Sequence, residues 1–116
     1  MRAILLWVLA ALFAFMMWRR FGGKMSPMAA RALVAEGALL LDVRSAGEFA
    51  NGHLVGARNI PVGELASRIT ELDDKLRPIV VYCASGMRSA SAAAVLRRAG
   101  FSRVEDLGGM SRWPSL

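Results

Sequence analysis

The chain has 116 residues, 55% of them hydrophobic, and its 15 Lys and Arg against nine Asp and Glu give a formal charge of +6. That length holds one domain of ordinary size. A single cysteine, Cys83, and a single histidine, His53, exclude an intramolecular disulfide, a cysteine-rich metal site and a zinc finger.

The basic excess would suit a nucleic-acid or anionic-membrane partner, but the totals average two unlike segments. Met1 to Lys24 holds 18 hydrophobic residues, four basic side chains and no acidic one, whereas the other 92 residues carry 11 basic groups against nine acidic, net +2. No basic patch remains to argue for nucleic acid. The expected division is 1–24 as one segment and 25–116 as a domain with its own core, burying roughly 60–65% of its unfolded surface.

Ala3 to Trp18 is an unbroken apolar run closed by Arg19 and Arg20. As a helix its 16 residues reach about 24 Å, short of the ~30 Å hydrocarbon core, with Met1, Phe21 and snorkelling arginines extending it. The expectation is a single transmembrane helix that anchors the chain in the lipid bilayer, with Trp7 and Trp18 at the interfaces. A cleaved secretory signal would end in small residues, whereas this run ends Phe-Met-Met-Trp-Arg-Arg. Arg19, Arg20 and Lys24 after the run outnumber Arg2 before it, so the positive-inside rule puts the following domain in the cytoplasm, with an extracytoplasmic domain as the alternative.

Phe21 to Met25, with Gly22-Gly23, reads as a short flexible connector. Ser26-Pro27 supplies a cap and a proline at the first helical position, and the helix runs to Gly37. Ala38 to Val43 is an apolar run of strand length. Ser45 and Glu48 form a capping box for a brief helix reaching Asn51-Gly52. Arg58 to Ile60 reads as a short strand, and Val62 to Leu72 as an amphipathic helix with Leu65, Ile69 and Leu72 on one face. Pro78 to Tyr82 is the most strand-like run and ends at Cys83. A loop, Cys-Ala-Ser-Gly-Met-Arg, leads to a helix from about Ser89 to Ala99, and a last strand near Arg103 to Leu107 precedes Gly108-Gly109. Strands alternating with helices predict an α/β sandwich with a mostly parallel sheet.

In such a sheet ligands bind beyond the carboxyl ends of the strands, where Cys83 falls. A cysteine between a buried strand and a helix N-terminus has backbone N–H groups and the positive helix end aimed at its sulfur. Those surroundings, with Arg88 nearby, lower a thiol pKa from about 8.5 and favour the reactive thiolate; the same cradle suits an anionic substrate or a persulfide. A lone cysteine is also commonly a small buried hydrophobe, and local physics leaves both readings open.

Four stretches decide further: L-L-L-D-V-R-S-A-G-E-F at 39–49, G-H-L-V-G-A-R-N-I-P at 52–61, V-V-Y-C-A-S-G-M-R-S at 80–89 and L-G-G-M-S-R-W at 107–113. In this order and spacing the chain from Met25 to Trp113 resembles a single-domain rhodanese, a sulfurtransferase. The resemblance implies a three-layer rhodanese-like sandwich and a mechanism in which the Cys83 thiolate takes sulfur from a sulfane donor such as thiosulfate, becomes a persulfide, and passes the sulfur to a thiol or protein acceptor, with no metal or organic cofactor.

Carried over position by position, Cys83 matches the sulfur-carrying cysteine, and Ala84, Ser85, Gly86, Met87 and Arg88 match the active loop that binds the substrate. Ser85 and Met87 bear on donor selection by position. Arg88 has two readings, an anion-binding charge or a structural partner for a carboxylate such as Glu48. Asp42 and Arg44 match the family's D-x-R and are read as holding the loop after the first strand; His53 is read as stabilising its turn, Trp113 as packing, and Gly108-Gly109 as a close backbone approach. Family members run further beyond the G-G-x-x-x-W stretch, so the final helix is expected to be short.

Two alternatives remain. Cysteine phosphatases that share the fold place five residues between cysteine and arginine, whereas Ala84 to Met87 are four, which favours sulfur over phosphate. A tethered sulfur-carrier module acting only with a dedicated partner is the non-enzymatic reading.

Overall fold

The computed structural model of the protein describes residues 2–21, with 18–21 by backbone only, 24–72 and 74–115. The expected connector at Gly22-Gly23 lies outside the described residues, as do the side chains of Trp18, Arg19 and Arg20.

Helix α1, Arg2–Phe21, opens the chain. Among the described residues no helix is long and apolar enough to cross a membrane. This overturns the expected single-pass transmembrane anchor, and with it the placement of the domain on a cytoplasmic or extracytoplasmic side and the lipid bilayer as a partner. The physical reason is reach: 16 apolar residues bounded by arginines amount to about 24 Å of helix against the ~30 Å of hydrocarbon.

The rest alternates as expected. α2 (Pro27–Ala35) starts where Ser26 Oγ accepts the Ala29 N–H at 3.2 Å, with proline at the first helical position. It is followed by β1 (Leu39–Asp42), α3 (Ala46–Ala50), β2 (Arg58–Asn59), α4 (Val62–Leu65) and β3 (Ile79–Cys83). α5 (Met87–Arg98), β4 (Val104–Gly109) and a final 3₁₀ turn, Met110–Arg112, complete the chain. The Ser45–Glu48 capping box is present in full at the start of α3.

Two elements differ from the expectation. The amphipathic stretch after Pro61 is α-helical only to Leu65 and then tightens into a 3₁₀ helix, Ala66–Glu71. The tighter turn aligns side chains three apart, and Arg68 there bonds Glu71 at 2.6 Å. α5 begins two residues earlier than the composition suggested, because Gly86, in the left-handed region at φ 109°, turns the chain directly into the helix.

The sheet has the order β2-β1-β3-β4, and every pairing is parallel. Between Val81 and Tyr82 the register of β3 on β4 shifts, so that Tyr82 lies opposite Gly108 and Cys83 opposite Gly109. The bulge thereby delivers two glycines to the end of β3 where the cysteine sits.

Side-chain alternation along the strands feeds two cores, which makes three layers. Leu41, Val43, Ile79, Val81 and Cys83 face Leu65 of α4 and Ala92, Ala93 and Leu96 of α5. Leu40, Val80, Tyr82 and Leu107 face Ala30 and Leu33 of α2, with Trp113 packed at the margin. Each large aliphatic side chain buried in this way contributes about 1.5–3 kcal/mol, which holds the carboxyl ends of β1 and β3 rigidly side by side.

Candidate active site

Cys83 is the last residue of β3 and none of its surface is exposed. Ala84, Ser85 and Gly86 form the turn that follows, and α5 starts at Met87. The Gly86 N–H donates to Cys83 Sγ at 2.9 Å. Gly86 offers α5 no side-chain cap, so the amides of the first turn are left free for another acceptor, and the sulfur occupies that position.

These contacts set the thiol's acidity. Burial pushes the Cys83 pKa up, but the Ser89 hydroxyl and the N–H groups of Ser89, Gly86 and Ser85 outweigh it, leaving the thiol below its ordinary value. The Ser89 hydroxyl has one proton and two acceptors, the sulfur and the Gly86 carbonyl 3.0 Å away. Ser89 is fully buried. The thiolate is thus stabilised mainly by neutral dipoles fixed by the fold, as in an anion-binding turn.

Arg88 points its charge elsewhere. Its Nη1 and Nη2 donate to Glu48 Oε1 and Oε2 at 2.6 and 3.0 Å, a two-point pair between α5 and α3. Arg88 and the Ser45 N–H together draw the Glu48 carboxyl down to about 2. Of the two expected roles for Arg88, the structure displays the carboxylate partner. Ala84, Ser85 and Met87 are exposed at the mouth of the loop, Met87 by 82%.

Asp42 and Arg44 form a buried lock beside this loop. Asp42 Oδ1 accepts the Arg44 backbone N–H at 2.8 Å, and its two oxygens accept Arg44 Nε at 3.1 Å each and Nη2 at 2.7 Å. Arg44 Nη2 also donates to the Gly52 carbonyl at 2.7 Å, tying the loop after β1 to the turn after α3. Tyr82 OH accepts the Leu54 N–H at 3.1 Å, and burial together with Asp42 holds its phenol pKa well above the usual range. His53 stacks on Phe49 at 3.7 Å, and its Nδ1 lies 2.9 Å from the Phe49 carbonyl, so that nitrogen carries the proton and closes the turn.

Gly109 lets the strand pass close to the turn opposite Cys83: a Cβ there would lie 3.0 Å from the Ala84 carbonyl oxygen, so the turn would have to give way by a few tenths of an ångström. Two residues in this region escaped the sequence reading. Ser89 would have been found from a helix start at Met87, which makes it the third helical residue, close to the loop. Lys24, read as a flanking charge of the apolar run, lies against the loop through a contact with β4 that local sequence does not encode.

A buried, acidified cysteine in an amide-lined turn between a parallel strand and a helix is an arrangement suited to a sulfur nucleophile. The chain belongs to the rhodanese family: the model of the rhodanese-like domain matches residues 26–115. It is 40% identical over 91 residues to thiosulfate sulfurtransferase GlpE of Ectopseudomonas mendocina, a match covering 78% of this chain and 83% of that one. It is 42% identical over 77 residues to the Bacillus subtilis protein YqhL, covering 66% of this chain and only 60% of that relative's length. Among solved structures, the human single-domain sulfurtransferase TSTD1 superposes with a TM-score of 0.66 at 32% identity, over 74% of this chain and 88% of that one. The protein is a rhodanese-type sulfurtransferase, with a sulfur donor and a sulfur acceptor as its substrates.

Proposed function

We propose that residues 25–116 form the catalytic unit, that Cys83 is its nucleophile and sulfur carrier, and that the donor is a small sulfane-sulfur anion of the thiosulfate type. The observation that carries this reading is the Gly86 N–H on Cys83 Sγ at 2.9 Å, at the start of an uncapped helix. Such an array stabilises the thiolate before the reaction and the persulfide after it, and costs no reorganisation between them.

The Cys83 thiolate attacks the outer sulfur of thiosulfate, the sulfur–sulfur bond breaks, and sulfite leaves with the bonding electron pair. The terminal sulfur of the resulting persulfide carries the negative charge and faces the amides of Ser85, Gly86 and Ser89. A thiophilic acceptor then attacks that sulfur and releases the Cys83 thiolate. Cyanide would leave as thiocyanate, and a thiol as a persulfide. With no second cysteine in the sequence, the acceptor is external. Because Cys83 exposes no surface, side chains bordering the loop move aside for the donor. Ala84, Ser85 and Met87 line that entrance and set which donors pass, while Arg88 fixes the loop through Glu48.

The experiment is to incubate the protein with thiosulfate and weigh it intact. Wild type should gain the mass of one sulfur, and Cys83→Ser should gain none. Retention of the gain in Cys83→Ser would place the carrier elsewhere.

A further inference from the structure

We propose that Lys24 is a specificity-determining residue of this site, whose ammonium holds a doubly charged donor at the mouth of the Cys83 loop. The inference rests on the reading of Cys83 as sulfur carrier and adds to it a residue outside the stretch, 26–115, that matches the family.

Lys24 does not simply trail from the apolar helix. It forms a one-residue parallel bridge with Asp106 of β4, and the Met25 N–H donates to the Asp106 carbonyl at 2.8 Å. Its backbone is thereby fixed beside the strand that ends opposite Cys83. The side chain then runs across two glycines at positive φ. A Cβ on Gly108 would lie 2.9 Å from Lys24 Cδ and 3.1 Å from Cε, so the glycine leaves a shelf for the stem. A Cβ on Gly86 would lie 3.0 Å from Nζ, so the ammonium ends against the residue whose N–H holds the sulfur.

The charge is also available. Arg88, the cation within the loop, is bonded at both ends to Glu48. Among the described residues Lys24 has no carboxylate partner within ion-pair distance. A lysine ammonium is a compact charge with three rotatable donors, suited to the oxygens of a small oxyanion. Coulomb attraction scales with the charge of the bound ion, so a dianion gains twice the free energy of a monoanion and the factor for the monoanion is the square root of that for the dianion.

The test measures sulfur transfer to cyanide by full-length wild type, Lys24→Gln and Lys24→Arg, with thiosulfate as dianionic donor and an alkanethiosulfonate as monoanionic donor. Lys24→Gln should raise KM for thiosulfate about fivefold and for the thiosulfonate about twofold, with kcat unchanged. Lys24→Arg should stay near wild type, and added salt should narrow the gap between wild type and Lys24→Gln. Equal KM changes for the two donors, or none, would overturn the role of Lys24 while leaving Cys83 as carrier. Failure of wild type to accept sulfur from either donor would bring down both readings at once.

Discussion

Asp42→Asn is the sharpest test of how the site is held. The substitution keeps the shape of the side chain but removes its charge and replaces one acceptor oxygen with an NH₂ donor. Asp42 is fully buried and receives four hydrogen bonds from Arg44, whose own side chain is 9% exposed. In the variant the guanidinium keeps its charge in the interior, and one of its N–H groups meets another donor. Breaking a buried pair from one side costs about 3–5 kcal/mol, a large part of the ~5–15 kcal/mol that stabilises an ordinary domain. With a denaturant slope of about 1.5 kcal/mol per molar urea, the unfolding midpoint should fall by roughly 2–3 M. Asp42 bonds no atom of the 83–88 loop directly, so the fraction that remains folded should take up sulfur within about twofold of the wild-type rate. A loss below ~1 kcal/mol would refute the buried-lock argument. A wild-type melt combined with abolished sulfur uptake would show that Asp42 acts in catalysis.

Four further outcomes follow from the site and the contacts around it. Ser89→Ala removes the hydroxyl that most favours the thiolate, so the pH midpoint of Cys83 alkylation by iodoacetamide should move up and sulfur uptake at neutral pH should fall about tenfold, the value of one hydrogen bond to a charged group; an unmoved midpoint would exclude Ser89 from the cradle. Because the wild-type thiol sits below its ordinary value, uptake should rise with pH along a single ionisation and level off earlier than for a free thiol. The depressed Glu48 carboxyl contributes stability that is complete above its ordinary value of 4.5 and is lost as pH falls toward about 2, so melting temperature should lose part of its acid dependence in Glu48→Gln. Gly109→Ala puts a Cβ 3.0 Å from the Ala84 carbonyl and should slow sulfur uptake by more than it lowers the melting temperature, since the clash falls on the active turn.

Much of this protein is written locally. The Ser45–Glu48 box, the Ser26-Pro27 start and the all-apolar Ile79–Cys83 strand are short-range signals, and each formed where the sequence placed it. The position of Cys83 at the end of its strand was legible for the same reason, since strand, glycine turn and helix are contiguous in the chain. What stayed hidden depends on partners far away. Lys24 reaches Gly86 only because it bridges to Asp106, and no pattern near residue 24 reports a contact 82 positions on. Arg88 could be an anion clamp or a carboxylate partner until the fold brought Glu48 beside it, 40 residues earlier in sequence. The apolar run misled in the opposite way: its composition is that of a membrane span, but 16 residues between arginines fall short in length.

The central claim is that sulfur passes through Cys83. Intact mass of the protein after incubation with thiosulfate, followed by addition of cyanide, tests it most directly. One added sulfur that disappears with stoichiometric thiocyanate in wild type, and never forms in Cys83→Ser, is the predicted result. A wild type that gains no sulfur, or a Cys83→Ser variant that gains and releases it, would contradict the account.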